Sequence, residues 1–299
     1  MAQSNLRFAL FGNTFPSETA TTVDRILSFL SAKGARVSFD RTFFHHLSEQ
    51  EGICLDGAEV FDDGEFEADF VLSLGGDGTF LKAASRVGEK EIPIVGVNTG
   101  RLGFLADVNS DNVCDALEAL FNGNYAVENR SVICVETDGT PFPSNPCALN
   151  DIAVLKRDNA SMISIHVDVN GEHLVTYQAD GLIVSTPTGS TAYSLSNGGP
   201  VIVPQTTVVC LTPVAPHSLN IRPIVLPDTT EIVLNVESRS HNFLVAVDGR
   251  SATCREGTKL TIRKAPYSVK IVKRDGQKYF STLKNKMMWG RDKREDIEK

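Results

Sequence analysis

Up to residue 124 the chain alternates short apolar runs with stretches of helical periodicity. Arg7 to Phe11 (RFALF) reads as a buried strand ending at Gly12-Asn13. From Ser17 to Ala32, the residues Val23, Ile26, Leu27 and Leu30 fall on one helix face, with Ser17 as N-cap and Gly34 as stop. Arg36 to Phe39 reads as a second strand, and the segment holding Phe43, Phe44, His45, His46 and Leu47 is less regular. Phe70 to Leu74 (FVLSL) is a third strand that runs into a helix-forming stretch from Thr79, and Ile92 to Val97 (IPIVGV) is a fourth. Asp111 to Phe121 places Val113, Leu117, Leu120 and Phe121 on one helix face, with Gly123 beyond it. Strands alternating with helices predict a parallel α/β sheet, in which ligands bind beyond the carboxyl ends of the strands.

From Tyr125 the pattern changes to short β-branched or alternating runs: VICVE, DIAVL, ISIHVDV, LIVST, TVVCLTPV, EIVLNV, FLVAV, KLTI and SVKIV. Asn170-Gly171 and Asp248-Gly249 are hairpin-turn signals between them. The expected fold is therefore an α/β N-terminal domain with a parallel sheet (1–124) followed by an all-β C-terminal domain (125–280). The polar segment 281–299 is expected either as a helix packing back on the first domain or as a frayed tail.

A length of 299 residues suits two domains, and 41% hydrophobic with 22% charged residues is a globular composition. The net charge of −8 argues against a surface for nucleic acid or an anionic membrane, since the basic residues near the C-terminus are interleaved with acids. Cys54, Cys114, Cys134, Cys147, Cys210 and Cys254 show no CxxC pair or metal-ligand spacing and read as reduced small apolar residues. With no leader-like N-terminus and no run of about 18 apolar residues, the expected location is the cytoplasm.

Candidate chemistry concentrates in DFVLSLGGDGTFLKA, Asp69 to Ala83. Gly75, Gly76 and Gly78 at a strand-to-helix junction let the backbone approach a ligand, and the helix N-terminus directs free N–H groups at it. That is an anion cradle, most often for phosphate. Asp77 would repel phosphate unless it holds a metal or accepts a hydrogen bond from a hydroxyl; a hydroxyl beside a phosphate site suggests phosphoryl transfer. The plainer alternative is a glycine turn with an exposed carboxylate. A second glycine-rich stretch, NTGRLGFL at Asn98 to Leu105, falls at a neighbouring strand end, either as part of the same crevice or as a plain loop closed by Phe104 and Leu105. In the β region, DGLIVSTPTGSTAYSLSNGGP (Asp180 to Pro200) is dense in hydroxyls suited to polar ligand edges, with Tyr193 available to stack on a base or ribose; the alternative is a polar surface loop. Asn150-Asp151 pairs an amide with a carboxylate at a strand start, TPVAPHSL (Thr212 to Leu219) carries one histidine, and Asp248-Gly249-Arg250 is most simply a hairpin. His45 and His46 diverge on a helix and have no third ligand in view. There is no Gly-Lys pair for a Walker loop, Leu81 stands at the third glycine position of a Rossmann fingerprint, and no GxSxG elbow is present.

Taken together, GGDGT at Gly75 to Thr79, NTGRLGFL, Asn150-Asp151, DGLIVSTPTGSTAYSLSNGGP and TPVAPHSL resemble the NAD kinase family in order and spacing, over most of the chain. GGDGT alone is shared with diacylglycerol, sphingosine and, loosely, phosphofructokinases; STPTGSTAYSLS is far more specific. The resemblance implies phosphoryl transfer from ATP, with a divalent metal such as magnesium, to the 2′-hydroxyl of the adenosine ribose of NAD, giving NADP, with NAD between the two domains. It implies that Asp77 is the catalytic aspartate and that Gly75, Gly76, Gly78 and Thr79 face phosphate. Lys82 and Phe104 would contact nucleotide, Asn150 and Thr188 would read the adenine edge, and Asp151 would hold the ribose. Thr191, Ala192, Tyr193, Ser194, Leu195 and Ser196 would surround the nucleotide, and Asp180 would meet the nicotinamide end, in this family often across a subunit interface. A homodimer or homotetramer is implied on the same ground. Gln178 and Arg250 depart from residues found in some relatives. The competing functions are a lipid or sugar kinase, which should lack the hydroxyl-rich loop, and a dinucleotide-binding sensor, which would not need Asp77.

Overall fold

The computed structural model describes residues 5–13, 19–55, 57–62, 65–100, 103–157, 161–274 and 279–290. Ser17, expected as a helix cap, lies outside these residues. The chain divides into two compact units, residues 1–128 with 270–299, and residues 129–269.

In the first unit the elements run β1 (Arg7–Gly12), α1 (Thr19–Ala32), β2 (Arg36–Asp40), α2 (Arg41–His45), β3 (Glu59–Phe61), β4 (Phe70–Leu74), α3 (Asp77–Val87), β5 (Ile94–Asn98), β6 (Val108–Asn109) and α4 (Val113–Phe121). The first five strands pair in parallel in the order β3-β2-β1-β4-β5. Strand order reverses between β1 and β4, and the crevice beyond such a switch point is where ligands bind in doubly wound sheets. The apolar stripe read on α1 packs Val23, Ile26 and Leu30 against Phe8, Leu10 and Leu72, together with Leu117, Leu120 and Phe121 of α4. Each such side chain, fully buried, contributes about 1.5–3 kcal/mol. Gly34, at φ 69°, ends α1, and the Ala35 N–H closes the last turn on the Leu30 carbonyl. The segment read as irregular is instead helical: the Asp40 carboxylate accepts from the Phe43 N–H to start α2, which continues as a π-helical turn over His46–Gln50. The buried Phe43 and Leu47, four residues apart, give this segment its inward face.

The second unit carries β7 (Tyr125–Thr137), which enters it from the first, followed by β8 (Cys147–Ala148), β9 (Asp151–Lys156), β10 (Ile163–Val169), β11 (Glu172–Ala179), β12 (Gly181–Ser185), the one-turn helix α5 (Tyr193–Ser196), β13 (Val208–Val214), β14 (Ile224–Pro227), β15 (Ile232–Glu237), β16 (Asn242–Val247), β17 (Arg250–Arg255) and β18 (Leu260–Arg274). One antiparallel sheet has the order β14-β13-β12-β9-β16-β17. In the other, β11, β10, β15 and the start of β18 pair antiparallel. Inward residues of both sheets, Ile152, Val184 and Val245 from one and Ile165, Leu234 and Ile262 from the other, share one core. Both turn signals form hairpins with two positive φ angles, 51° and 83° at Asn170-Gly171 and 46° and 80° at Asp248-Gly249.

Two expectations are corrected here. KLTI and SVKIV are not separate strands: β18 runs unbroken through Pro266, whose fixed φ is compatible with extended chain. The six cysteines are not all reduced, because Cys134 and Cys147 form a disulfide, while Cys114, Cys210 and Cys254 are free. The β7–β8 register sets Cys134 directly opposite Cys147, a pairing of strands that residue spacing does not reveal.

The end of β18 returns to the first unit, where Ile271 pairs in parallel with Ile94 and Lys273 forms an ion pair with Asp107, whose side chain is nearly fully buried. The last described element, α6 (Tyr279–Met287), is anchored by the buried Leu283. Among the described residues no helix is long and apolar enough to cross a membrane.

Candidate active site

In the first unit the glycine stretch sits at the switch point. The Asn13 N–H donates to the Leu74 carbonyl, joining the ends of β1 and β4, and the Gly75 N–H donates to Val97 at the end of β5. Gly75, at φ 151°, turns the chain out of the sheet, Gly76 stands at the N-cap, and Asp77 is the first residue of α3, with Gly78 and Thr79 in the same turn. An acidic side chain there interacts favourably with the helix dipole.

The Asp77 carboxylate does not hang free in the cradle. Its Oδ2 accepts from the Phe104 N–H at 3.0 Å, and its Oδ1 accepts from Leu105 and Ala106 at 2.9 and 3.1 Å. Lys286 of α6 places its ammonium 3.3 Å from Oδ2. Burial pushes the Asp77 pKa up, but the three amides and the lysine outweigh it and hold the carboxyl below its usual range. The second glycine-rich stretch is therefore the wall of the cradle. Its loop is folded back by Asn98, whose Oδ1 accepts from the Gly100 N–H at 2.7 Å, and by the Gly103 N–H on the Ala106 carbonyl. Gly103 permits the close approach, since a Cβ there would lie 2.0 Å from Asp77 Oδ1. Arg101 and Leu102 lie outside the described residues. Lys82 points elsewhere, pairing at 3.1 Å with Asp40, whose side chain is nearly fully buried.

In the second unit the organising group is Asp248. From the β16–β17 hairpin its Oδ2 accepts from the Leu149 N–H at 2.8 Å, and its Oδ1 accepts from Asn150 and Asp151 at 2.8 and 3.2 Å. That fixes the turn carrying Asn150 and leads into β9. The Asn150 carbonyl accepts from Thr186 N–H, and Thr186 Oγ1 donates to Leu149 at 2.5 Å, so this turn and the start of the hydroxyl-rich loop are one assembly. Gly189 is required by contact: a Cβ there would lie 2.0 Å from the Asn150 carbonyl oxygen.

The loop's hydroxyls divide into two sets. Ser190 donates to Pro187 and accepts from the Ile202 N–H, and Ser194 pairs with Thr212 at 2.9 Å; both are buried and committed to the fold. Thr188, also buried, receives the Arg130 guanidinium at 3.5 Å. Thr191, Ala192 and Leu195 are half-buried, while Tyr193 and Ser196 are exposed, so the open face of α5 presents an aromatic ring and a hydroxyl. Asp180 pairs with Lys156 at 2.7 Å. Gln178 donates to Ser164, and Arg250 donates to the carbonyls of Asn145 and Cys147. Sequence reasoning missed Asp248 and Lys286. The first carried only a turn signal, and the second lay in a segment with no motif.

Asp151 is buried beside the Asp248 charge, and these two causes push its pKa up to about 7. Asp248 is also raised by burial, but its three amides and Arg250 favour its charged form, which leaves the proton with Asp151. Between the unfolded value of 3.8 and about 7, only the folded chain binds that proton, so stability falls as pH rises through this window and levels off above it. Asp151→Asn removes this contribution. The melting temperature of the wild-type protein minus that of the variant is expected to fall from pH 4 to about 7; a difference independent of pH would contradict the assignment.

Among the described residues no group of three or more His, Cys, Asp or Glu side chains is arranged to hold a metal. His45 and His46 bond instead to Glu49 and Gln50.

The ATP-NAD kinase N-terminal domain family matches residues 8–125, and the ATP-NAD kinase C-terminal domain family matches residues 149–274. A curated NAD kinase of Bacteroides fragilis is 54% identical over 97% of this chain and 100% of its own length. One from Porphyromonas gingivalis is 40% identical over 95% of this chain and 98% of its own. Among solved structures, an NAD kinase from Archaeoglobus fulgidus in complex with ATP superposes with a TM-score of 0.74 at 29% identity, covering 95% of this chain and 99% of that one. Yeast NADH kinase complexed with NADH gives 0.86 at 21% identity, covering 97% and 89%, which is a likeness of fold.

Proposed function

The chain belongs to the NAD kinase family, and from that membership we propose that it transfers the γ-phosphoryl group of ATP to the 2′-hydroxyl of the adenosine ribose of NAD. The 2′-oxygen bonds to the γ-phosphorus as the bond to the bridging oxygen of the β-phosphate breaks. The hydroxyl proton leaves by way of Asp77, and the products are NADP and ADP. One observation carries the reading: a charged Asp77 held in place by three backbone amides at the N-terminus of α3, beyond the switch point of the parallel sheet.

Phosphoryl transfer depends on positioning and charge stabilisation more than on covalent help from the protein. A carboxylate whose pKa is lowered is a weak base, so Asp77 acts chiefly by accepting the 2′-hydroxyl hydrogen bond and aiming its oxygen. Gly75, Gly76, Gly78 and Thr79 present backbone and hydroxyl groups to phosphate, and Phe104 lines the same cradle. In the second unit Asn150 and Thr188 read the adenine edge, and Asp151 holds the ribose. Thr191, Ala192, Tyr193, Leu195 and Ser196 contact the nucleotide, whereas Ser194 supports them from below. Asp180 meets the nicotinamide end. Lys82 reaches nucleotide only by leaving Asp40.

A divalent metal, magnesium, completes the substrate set. The described residues include no cage of three or more His, Cys, Asp or Glu side chains for it, and magnesium is commonly held by one or two carboxylates together with substrate phosphates and waters. When bound, it neutralises charge on the transferring phosphates. A cytoplasmic homodimer or homotetramer remains part of the proposal.

The test is a coupled assay in which NADP is detected by an NADP-specific dehydrogenase. Formation is expected to require NAD, ATP and Mg²⁺ together. NAD binding without product would favour a dinucleotide sensor, and absence of NAD binding a lipid or sugar kinase.

A further inference from the structure

The roles so far leave the C-terminal helix without a task, yet it delivers the one charged side chain that meets Asp77 among the described residues. The Lys286 ammonium lies 3.3 Å from Asp77 Oδ2 and 4.5 Å from the centroid of the Phe104 ring. Phe104 is also the residue whose N–H donates to that same oxygen. Lysine and amide thus converge on Oδ2, while Leu105 and Ala106 hold Oδ1. About a third of each charged side chain, 32% for Lys286 and 30% for Asp77, is exposed, so the pair is open to solvent and to an arriving ligand. Leu283, one turn earlier on α6, is buried and anchors the helix that presents the lysine.

We propose that Lys286 is a positioning residue for phosphoryl transfer: it holds Asp77 charged and aimed, which makes the C-terminal helix a working part of the phosphate cradle. The inference rests on the kinase reading above. The amides of Phe104, Leu105 and Ala106 are fixed by the backbone, whereas the lysine ammonium rides on a flexible four-carbon stem. Lys286 is therefore the contact that shifts to admit the ribose hydroxyl to Oδ2 while its charge stays beside the carboxylate. The ring face of Phe104 keeps the displaced cation nearby through attraction to its π-system, beside the phosphates that arrive with the donor.

The experiment compares the wild-type protein with Lys286→Ala, Lys286→Gln and Lys286→Arg in steady-state kinetics from pH 5 to 9. Lys286→Ala and Lys286→Gln are expected to lower kcat about 10- to 100-fold, with the KM for NAD within about threefold. Lys286→Arg should recover most of the loss. Removing the cation raises the Asp77 pKa, so the acidic limb of the kcat profile should move to higher pH in the Ala and Gln variants and stay in place in Lys286→Arg. Thermal stability should change little, because the lysine head is not part of the core. Wild-type kcat with an unshifted limb in Lys286→Ala overturns the inference, as does a loss that Lys286→Arg shares in full. A wild-type protein that makes no NADP would instead overturn the kinase reading, which keeps the two failures apart.

Discussion

Asp77→Asn is expected to bind NAD within about threefold of the wild-type protein and to lose about 10²- to 10⁴-fold in kcat. The asparagine keeps the shape of the side chain and one oxygen, which can continue to accept from Leu105 and Ala106. Its nitrogen then faces the Phe104 N–H and the Lys286 ammonium, where the carboxylate oxygen had accepted. On the proposed mechanism, what disappears is the negative acceptor for the 2′-hydroxyl and its proton, an interaction used on the way to the transition state more than in binding. The loss should therefore fall on kcat rather than on KM. Asp77→Ala, which also frees the loop amides, should lose at least as much. An Asp77→Asn protein that binds NAD normally and turns over near the wild-type rate would contradict the role given to this residue.

Asp248→Ala should have the second-largest effect, through a different quantity. One carboxylate satisfies the N–H groups of Leu149, Asn150 and Asp151, all at one turn, which on the proposed reading presents residues to the nucleotide. Hydrogen bonds to a charged group are worth about 1.5–3 kcal/mol each, and orphaned buried donors add their own cost. The variant is expected to lose on the order of 3 kcal/mol of stability and to show at least a tenfold higher KM for NAD, because the turn carrying Asn150 and Asp151 loosens. Thermal melting and steady-state kinetics check both parts. Unchanged melting with an unchanged KM would show that the backbone holds this turn without Asp248.

The reach of the sequence follows the range of the interactions. The strands β1, β2, β4 and β5 and the helices α1 and α4 were legible because their apolar spacing is a local property, as was the hairpin at Asn170-Gly171. Fold class came through the change of pattern after residue 124. The strand-to-helix glycine turn was legible because glycine, aspartate and a helix start lie within five residues, Gly75 to Thr79. The arrangement of the site was not, because its contacts span long stretches of chain: Asp77 meets its amides 27 to 29 residues away and Lys286 at a separation of 209. Asp248 reads locally as a turn residue, and only the register of β9 on β16 brings it to Asn150. Composition likewise could not sort the hydroxyls. Ser194 and Tyr193 are neighbours, yet one is buried against Thr212 and the other exposed, because a short helix turns successive side chains to different faces. The Cys134–Cys147 bridge was hidden for the same reason as Asp248, since it depends on strand register rather than spacing.

The central claim is that this chain phosphorylates NAD on the hydroxyl that Asp77 is placed to receive. The most direct measurement is phosphorus NMR of the purified protein incubated with NAD, ATP and Mg²⁺, with the product compared against authentic NADP. The account predicts a phosphomonoester resonance matching the 2′-phosphate of NADP, growing in step with ADP and absent with Asp77→Ala. Release of inorganic phosphate alone, phosphorylation at the 3′ position, or equal product from Asp77→Ala would contradict it.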